Sequence, residues 1–140
     1  MNKLNATVML ALVALSVLGC GQSSSDRVEV FPVEGRILLN GQPLAGAQVV
    51  FHPQGSKTLP ASAKTDAQGN YKLSTYDQHD GAAEGAYAVT VHYFPVVRWD
   101  DGFLPGANVL PPKYSVPQAT DLRVQVARGE NRLNPLELKR

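Results

Sequence analysis

The chain has 140 residues, carries 13 Lys and Arg against 12 Asp and Glu, and contains one cysteine. That length allows one domain and hardly a second, and 18% charged residues beside 44% hydrophobic ones exclude a disordered polyelectrolyte. A net charge of +1 leaves no basic stripe for a dedicated nucleic-acid binder, and a lone cysteine excludes an intrachain disulfide and a CxxC metal or redox site.

The first residues read as a targeting segment. Lys3 supplies a positive start, and an apolar run from Ala6 to Leu18 follows. At about 13 residues this run is shorter than the ~20 a spanning helix needs. Ser/Gly-rich sequence follows it directly, which does not suit a buried core helix. Residues 1–19 are therefore expected to be a secretory signal peptide. Val17-Leu18-Gly19-Cys20 resembles the lipobox of bacterial lipoproteins, with Val17 in place of the usual leucine. The resemblance implies diacylglycerol on the Cys20 thiol, cleavage before Cys20 and acylation of the new N-terminus. Several acyl chains hold a membrane stably where one does not. Cleavage would remove Lys3 and leave basic and acidic side chains in equal number, so lipid rather than charge would hold the protein at the membrane. Residues 20–27 are expected to be the lipidated cysteine and a flexible tether, and 28–140 the folded domain.

From Arg27 onward no helical period is visible, and short alternating runs are separated by turn residues. Val33 to Leu39 places Val33, Ile37 and Leu39 on one face, and Asn40-Gly41 is a two-residue turn that tolerates positive φ. Ala47 to His52 turns Ala47, Val49 and Phe51 inward. Ala61 to Thr65 is a weak strand, and Asp66 to Gly69 a turn. Asn70 to Thr75 returns with Tyr71 and Leu73 inward. Ala86 to Tyr93 is the clearest strand, with Tyr87, Val89, Val91 and Tyr93 alternating with Ala88, Thr90 and His92. Asp121 to Ala127 turns Leu122, Val124 and Val126 inward. Arg132 to Leu138 changes phase around Asn134-Pro135, which suggests a bulge or an edge. The expectation is an all-β sandwich of seven strands.

These runs also carry a resemblance. Val33-x-Gly35, Asn40-Gly41-x-Pro43-Leu44-x-Gly46-Ala47-x-Val49-x-Phe51, Thr65-Asp66-x-x-Gly69-x-Tyr71-x-Leu73 and Gly85-x-Tyr87-x-Val89-x-Val91 are similar to the carboxypeptidase regulatory-like domain. The resemblance implies a transthyretin-like (prealbumin-like) Greek-key β-sandwich over Val33 to about Tyr93. The C-terminal part, with Pro111-Pro112-Lys113-Tyr114, Thr120-x-Leu122 and Gly129-x-Asn131, is similar to small lipoproteins of planctomycete-type bacteria that carry this domain alone. The matched positions are scaffold residues, so the resemblance implies shape rather than chemistry. Relatives of the fold include hydrolases with a C-terminal Tyr-Arg-Gly-Ser and dioxygenases with a His-x-His pair, and the sequence has neither.

Candidates for chemistry are few. His52, His79 and His92 are far apart in sequence, and exposed strand histidines are a commoner reading than a zinc site. No Ser-x-x-Lys, Gly-x-Ser-x-Gly or His-Glu-x-x-His motif occurs. Asp77, Asp80 and Glu84 in one loop and Asp100 and Asp101 in another are candidate ligands for a weak calcium site, against the plainer reading of solvated turns. The segment from Phe94 to Ala119 exceeds the length of an ordinary loop. Its Trp99, Phe103 and Tyr114 are candidate anchors of an interaction surface, and the competing reading is that it folds over and closes the core. The sequence thus predicts a non-enzymatic lipoprotein of the cell envelope, without cofactor or nucleic-acid partner, that binds a protein or supports envelope structure. The alternative is calcium or carbohydrate binding through the acidic loops and Trp99.

Overall fold

The computed structural model describes residues 26–55 and 58–140. The signal peptide at 1–19, the lipidation of Cys20 and most of the 20–27 tether lie outside the described residues. Within them the chain is almost wholly β. In order come β1 (Val30–Phe31), β2 (Val33–Leu39), β3 (Gln42–Pro43), β4 (Gln48–Pro53), β5 (Ala61–Lys64), β6 (Asn70–Lys72) and β7 (Ala82–Ala83). Then follow β8 (Gly85–His92), β9 (Val96–Trp99), β10 (Gly102–Pro105), a 3₁₀ turn (Pro112–Ser115), β11 (Arg123–Val126), β12 (Asn131–Arg132) and β13 (Leu136–Leu138). Among the described residues no helix is long and apolar enough to cross a membrane.

Two main sheets enclose one core. The first is antiparallel, in the order β11-β8-β4-β5. The second is built around β2, which pairs antiparallel with β6 and β3 and parallel with β12 and β13. The β5 and β6 edges are joined by Ser62 and Ser74, which exchange amide bonds of 3.0 and 2.9 Å. The alternation read in the sequence supplies the core: Ile37, Val49, Phe51, Leu73, Val89, Val91, Val126 and Leu138 are wholly buried. Phe51 lies at its centre, 6.0 Å from the Tyr71 ring and 5.8 Å from that of Tyr87. Burying one such side chain contributes about 1.5–3 kcal/mol.

Asn40 and Gly41 take φ of 49° and 80°, as the two-residue turn requires. Two expectations need correction. Where seven strands were expected, the described residues contain thirteen strand segments, because one run divides into β12 and β13 and five short segments, β1, β3, β7, β9 and β10, pair outside the seven runs. The C-terminal run is the one that divides. Asn131 pairs with Val33 but Leu136 pairs with Ile37, so the register slips by one residue across Asn134-Pro135. Thr90, expected on an outward face, is also buried: β8 is an inner strand, and His52 Nε2 lies 2.9 Å from the Thr90 hydroxyl.

Candidate functional site

The 94–119 segment divides into two parts with different roles. Its first part, β9 and β10, forms a two-stranded hairpin with Gly102 opposite Trp99, Phe103 opposite Arg98 and Leu104 opposite Val97. The turn residues are Asp100 and Asp101. Strand alternation puts Val97, Trp99 and Leu104 on one face and Val96, Arg98, Phe103 and Pro105 on the other. Neither face is covered: Trp99 is 62% exposed, Phe103 72%, Leu104 55% and Val96 71%. An isolated two-stranded hairpin is marginal in water, and contiguous exposed apolar side chains mark an interaction site. The hairpin is fixed at its base, where the Gly106 amide donates to the Pro95 carbonyl at 2.7 Å and Val109 to Tyr93 at 3.1 Å. Asn108 locks that base, since its Oδ1 accepts from Tyr93 and its Nδ2 donates to the Ser115 hydroxyl.

The second part closes the core. Leu110 is buried, and Tyr114, expected as an interaction anchor, is 2% exposed. That expectation is corrected. The Pro111-Pro112 corner starts the 3₁₀ turn that carries Tyr114 inward, and its hydroxyl accepts the Lys139 amide at 3.0 Å. The Lys113 ammonium lies 4.7 Å from the Tyr114 ring centroid and pairs with Asp121 at 2.9 Å. Trp99 and Phe103 thus form part of a surface that Tyr114 does not reach.

The hairpin also has a defined place along the fold. The chain enters through β1, which pairs with β7 just before the first residue of β8. The hairpin follows the last residue of β8. Entry and hairpin therefore lie near opposite ends of an eight-residue strand, roughly 25 Å apart.

The acidic residues do not assemble. Asp77 pairs with Arg27 and Glu84 with Arg128, each at 2.9 Å. Asp80 is a turn residue whose carboxylate accepts the amides of Thr75, Tyr76 and Asp77 at 2.7–2.9 Å. Burial works to raise its pKa, but these amide bonds together outweigh it and hold the carboxyl below its ordinary value. Asp100 and Asp101 stay exposed at the hairpin turn, beside Trp99. Among the described residues no three His, Cys, Asp or Glu side chains converge as metal ligands. His79 lies in a separate loop, its amide bonded to the Ser74 hydroxyl. His52 and His92 share the outer face of the first sheet, where His92 stacks on Phe94. Burial, and then the neighbouring His92, hold His52 below the usual imidazole value.

Sequence reasoning missed the hairpin as an element, and with it Val96, Val97 and Leu104. The signal was present: Asp100-Asp101-Gly102 between β-forming residues is turn chemistry.

No family model matches the chain, and no curated protein matches it. Among solved structures it is similar to a 9R-lipoxygenase from Cyanothece, at 14% identity and a TM-score of 0.42 over 79% of this chain. It is also similar to a proposed carbohydrate-binding protein from Pseudomonas aeruginosa, at 12% identity and a TM-score of 0.43 over 81% of this chain and 90% of that one. A DUF3823 family protein from Parabacteroides merdae aligns at 16% identity and a TM-score of 0.41 over 81% of this chain. The chain spans only 16% of the lipoxygenase and 46% of the Parabacteroides protein. Likenesses this distant carry no argument about activity.

Proposed function

We propose that the protein is a non-enzymatic, membrane-anchored lipoprotein of the cell envelope whose sandwich, of the transthyretin-like Greek-key kind found in carboxypeptidase regulatory-like domains, holds the β9–β10 hairpin out to a protein partner. The observation that carries this reading is the exposure of Val96, Trp99, Phe103 and Leu104 on a hairpin fixed at its base. Large rigid aromatics bind at low entropic cost, and such residues dominate binding energy where they fill a cleft. Asp100 and Asp101 at the turn select a cleft whose rim is basic. With lipid on Cys20, the short stretch to Asp26 reaches about 20 Å at most. The hairpin lies at the end of β8 away from the entry of the chain, and so away from the anchor.

Photo-crosslinking residues placed separately at Trp99 and Phe103, in the lipidated protein in its own cells, test the reading. A discrete protein adduct from either position supports it. Purely intramolecular adducts from both overturn it. Palmitate labelling that is lost in Cys20→Ala tests the anchor independently.

One observation favours a second reading. The exposed indole of Trp99 sits beside two open carboxylates, in a hollow of about 360 Å³ lined by residues from Trp99 to Leu104. This arrangement suits a sugar stacked on the indole and hydrogen-bonded to Asp100 and Asp101. Glycan adducts in the same experiment would replace the first reading with the second. Of the calcium ligands considered, only Asp100 and Asp101 keep free carboxylates, too few for a hard cation that takes six to eight oxygens.

A further inference from the structure

Where the β5 edge of the first sheet meets the outer side of the second sheet, a groove opens that the hairpin does not use. Its volume is about 820 Å³, and its charged lining is Arg36, Lys64, Lys72 and Arg132 against Glu34 and Asp66. Pairing gathers these side chains, since Glu34 on β2 lies opposite Lys72 on β6 and opposite Arg132 on β12, while Arg36 lies opposite Asn70.

Both acids are already engaged. Glu34 pairs with Arg132 at 3.2 Å. Asp66 Oδ1 accepts the amides of Gln68 and Asn70, each at 2.9 Å, which holds the turn before β6. Arg36 donates through Nε to the Gln68 carbonyl at 2.8 Å. This fixes the guanidinium and leaves its two terminal nitrogens to face a ligand. Among the described residues neither Lys64 nor Lys72 has an ion pair or a side-chain hydrogen bond. In a chain of net charge +1, this concave surface brings four cations together with two carboxylates, an excess of two positive charges, and among the described residues Lys64, Lys72 and Arg36 are the cations that no carboxylate pairs with. A cleft with an excess of one sign of charge raises the local concentration of the opposite sign.

We propose that this groove binds an acidic oligosaccharide, a sugar chain bearing carboxylate or sulfate groups. The cations fit its oxyanions, with Arg36 presenting the planar fork suited to them. Asn70 and Ser74, also in the lining, fit its hydroxyls. Of the two rings in the lining Tyr71 is buried and only His79 is exposed, so the groove lacks the succession of stacking platforms on which single-stranded nucleic acid lays consecutive bases. The site is distinct from the hairpin turn, whose two aspartates repel an anionic sugar.

Fluorescence anisotropy of the full chain in neutral detergent tests this. The probes are a labelled sulfated tetrasaccharide, tetragalacturonate, neutral maltotetraose and a single-stranded oligonucleotide. Either acidic sugar is expected to bind, more weakly as salt rises, and maltotetraose is not. Lys64→Glu with Lys72→Glu should weaken binding about tenfold or more, from two attractions turned into repulsions, while Arg123→Glu on the other sheet leaves it unchanged. Lys72→Glu sets a second carboxylate opposite Glu34, so the melting temperature of the double variant is measured alongside, and Lys64→Gln with Lys72→Gln, which adds no repulsion, should weaken binding in the same direction. Absence of binding to both acidic sugars overturns the proposal, as does binding indifferent to the charge reversals. Equal affinity for the oligonucleotide, lost in the same variant, overturns the assignment to sugar.

Discussion

Replacing Tyr71 by phenylalanine should stabilise the domain. Tyr71 is 2% exposed and packs against Phe51, yet its hydroxyl is a buried polar atom with no hydrogen-bond partner. The ring lies over Gly35, where an added Cβ would come within 2.6 Å of Cζ, so it has no room to swing its hydroxyl toward an acceptor. Leaving a buried hydroxyl unbonded costs about 1–3 kcal/mol. Deleting one oxygen opens a void of about 10–15 Å³, which returns roughly 0.3 kcal/mol of that. The net expectation is about 1 kcal/mol of added stability, or a Tm higher by roughly 4 °C. A pH dependence accompanies it. Burial pushes the Tyr71 phenol above its ordinary value of 10.0. A folded-state pKa above the unfolded one contributes stability that is complete below the unfolded pKa and is lost as pH rises toward the folded one. Above pH 10 the parent should therefore lose about 1.4 kcal/mol per pH unit through this group, and Tyr71→Phe should be spared that loss. Urea unfolding of both proteins at pH 7 and pH 11 measures both effects. If Tyr71→Phe is less stable at pH 7 by 1 kcal/mol or more, the hydroxyl is bonded and the reasoning is wrong.

Gly81→Ala should destabilise by about 3 kcal/mol or more in thermal unfolding, since φ is +101° and a Cβ would collide with the Phe31 carbonyl; a loss under 1 kcal/mol would mean that β1 can detach at little cost. Asp80→Asn should cost about 1 kcal/mol at pH 7, discounted for partial exposure. Because the Asp80 carboxyl is held below its ordinary value, its contribution is present above the unfolded pKa and is lost as pH falls through the folded one. The gap between parent and variant should thus close in strong acid, and a gap constant from pH 7 to pH 2 would contradict this. Trp99→Ala and Phe103→Ala should each shift Tm by no more than a degree or two, because both side chains are largely exposed, while each abolishes the adduct formed from the crosslinker at the other position. A large fall in Tm would instead make the hairpin part of the fold.

The strands were legible wherever the chain alternates and ends in turn residues. Val49 and Phe51, Tyr87, Val89 and Val91, and Asn40-Gly41 stand where periodicity and φ preference put them. Pairing was not legible. Nothing local in Leu136 to Leu138 announces a parallel partner about a hundred residues earlier in β2. Tyr114 shows the same limit at the site. An aromatic in a proline-flanked loop reads alike as anchor or plug, and an amide at Lys139 decides between them. Asp80 misleads for a related reason: a carboxylate near other acids suggests a cation, but three backbone amides 3–5 residues upstream occupy it. The groove was illegible altogether, because Arg36, Lys72 and Arg132 become neighbours only through the register of β2, β6 and β12, and Lys64 joins them only where the β5 edge meets the chain after β6 at Ser62 and Ser74.

If the hairpin docks as proposed, its turn favours protein over lipid as what the apolar faces meet. Tip-first insertion into a bilayer would bury Trp99, Phe103 and Leu104 favourably, but the deepest residues would be Asp100 and Asp101. Each aspartate costs about 2.5–3.5 kcal/mol near the membrane centre, against about 1.5–3 kcal/mol gained per large apolar side chain. The two terms nearly cancel, so the hairpin is a poor membrane foot. A protein cleft differs at the same two residues, since basic side chains at its rim turn both costs into attractions. The apolar faces then contribute in full, and the base fixed by Asn108 and Gly106 spares most of the ordering entropy that a flexible loop would lose on docking.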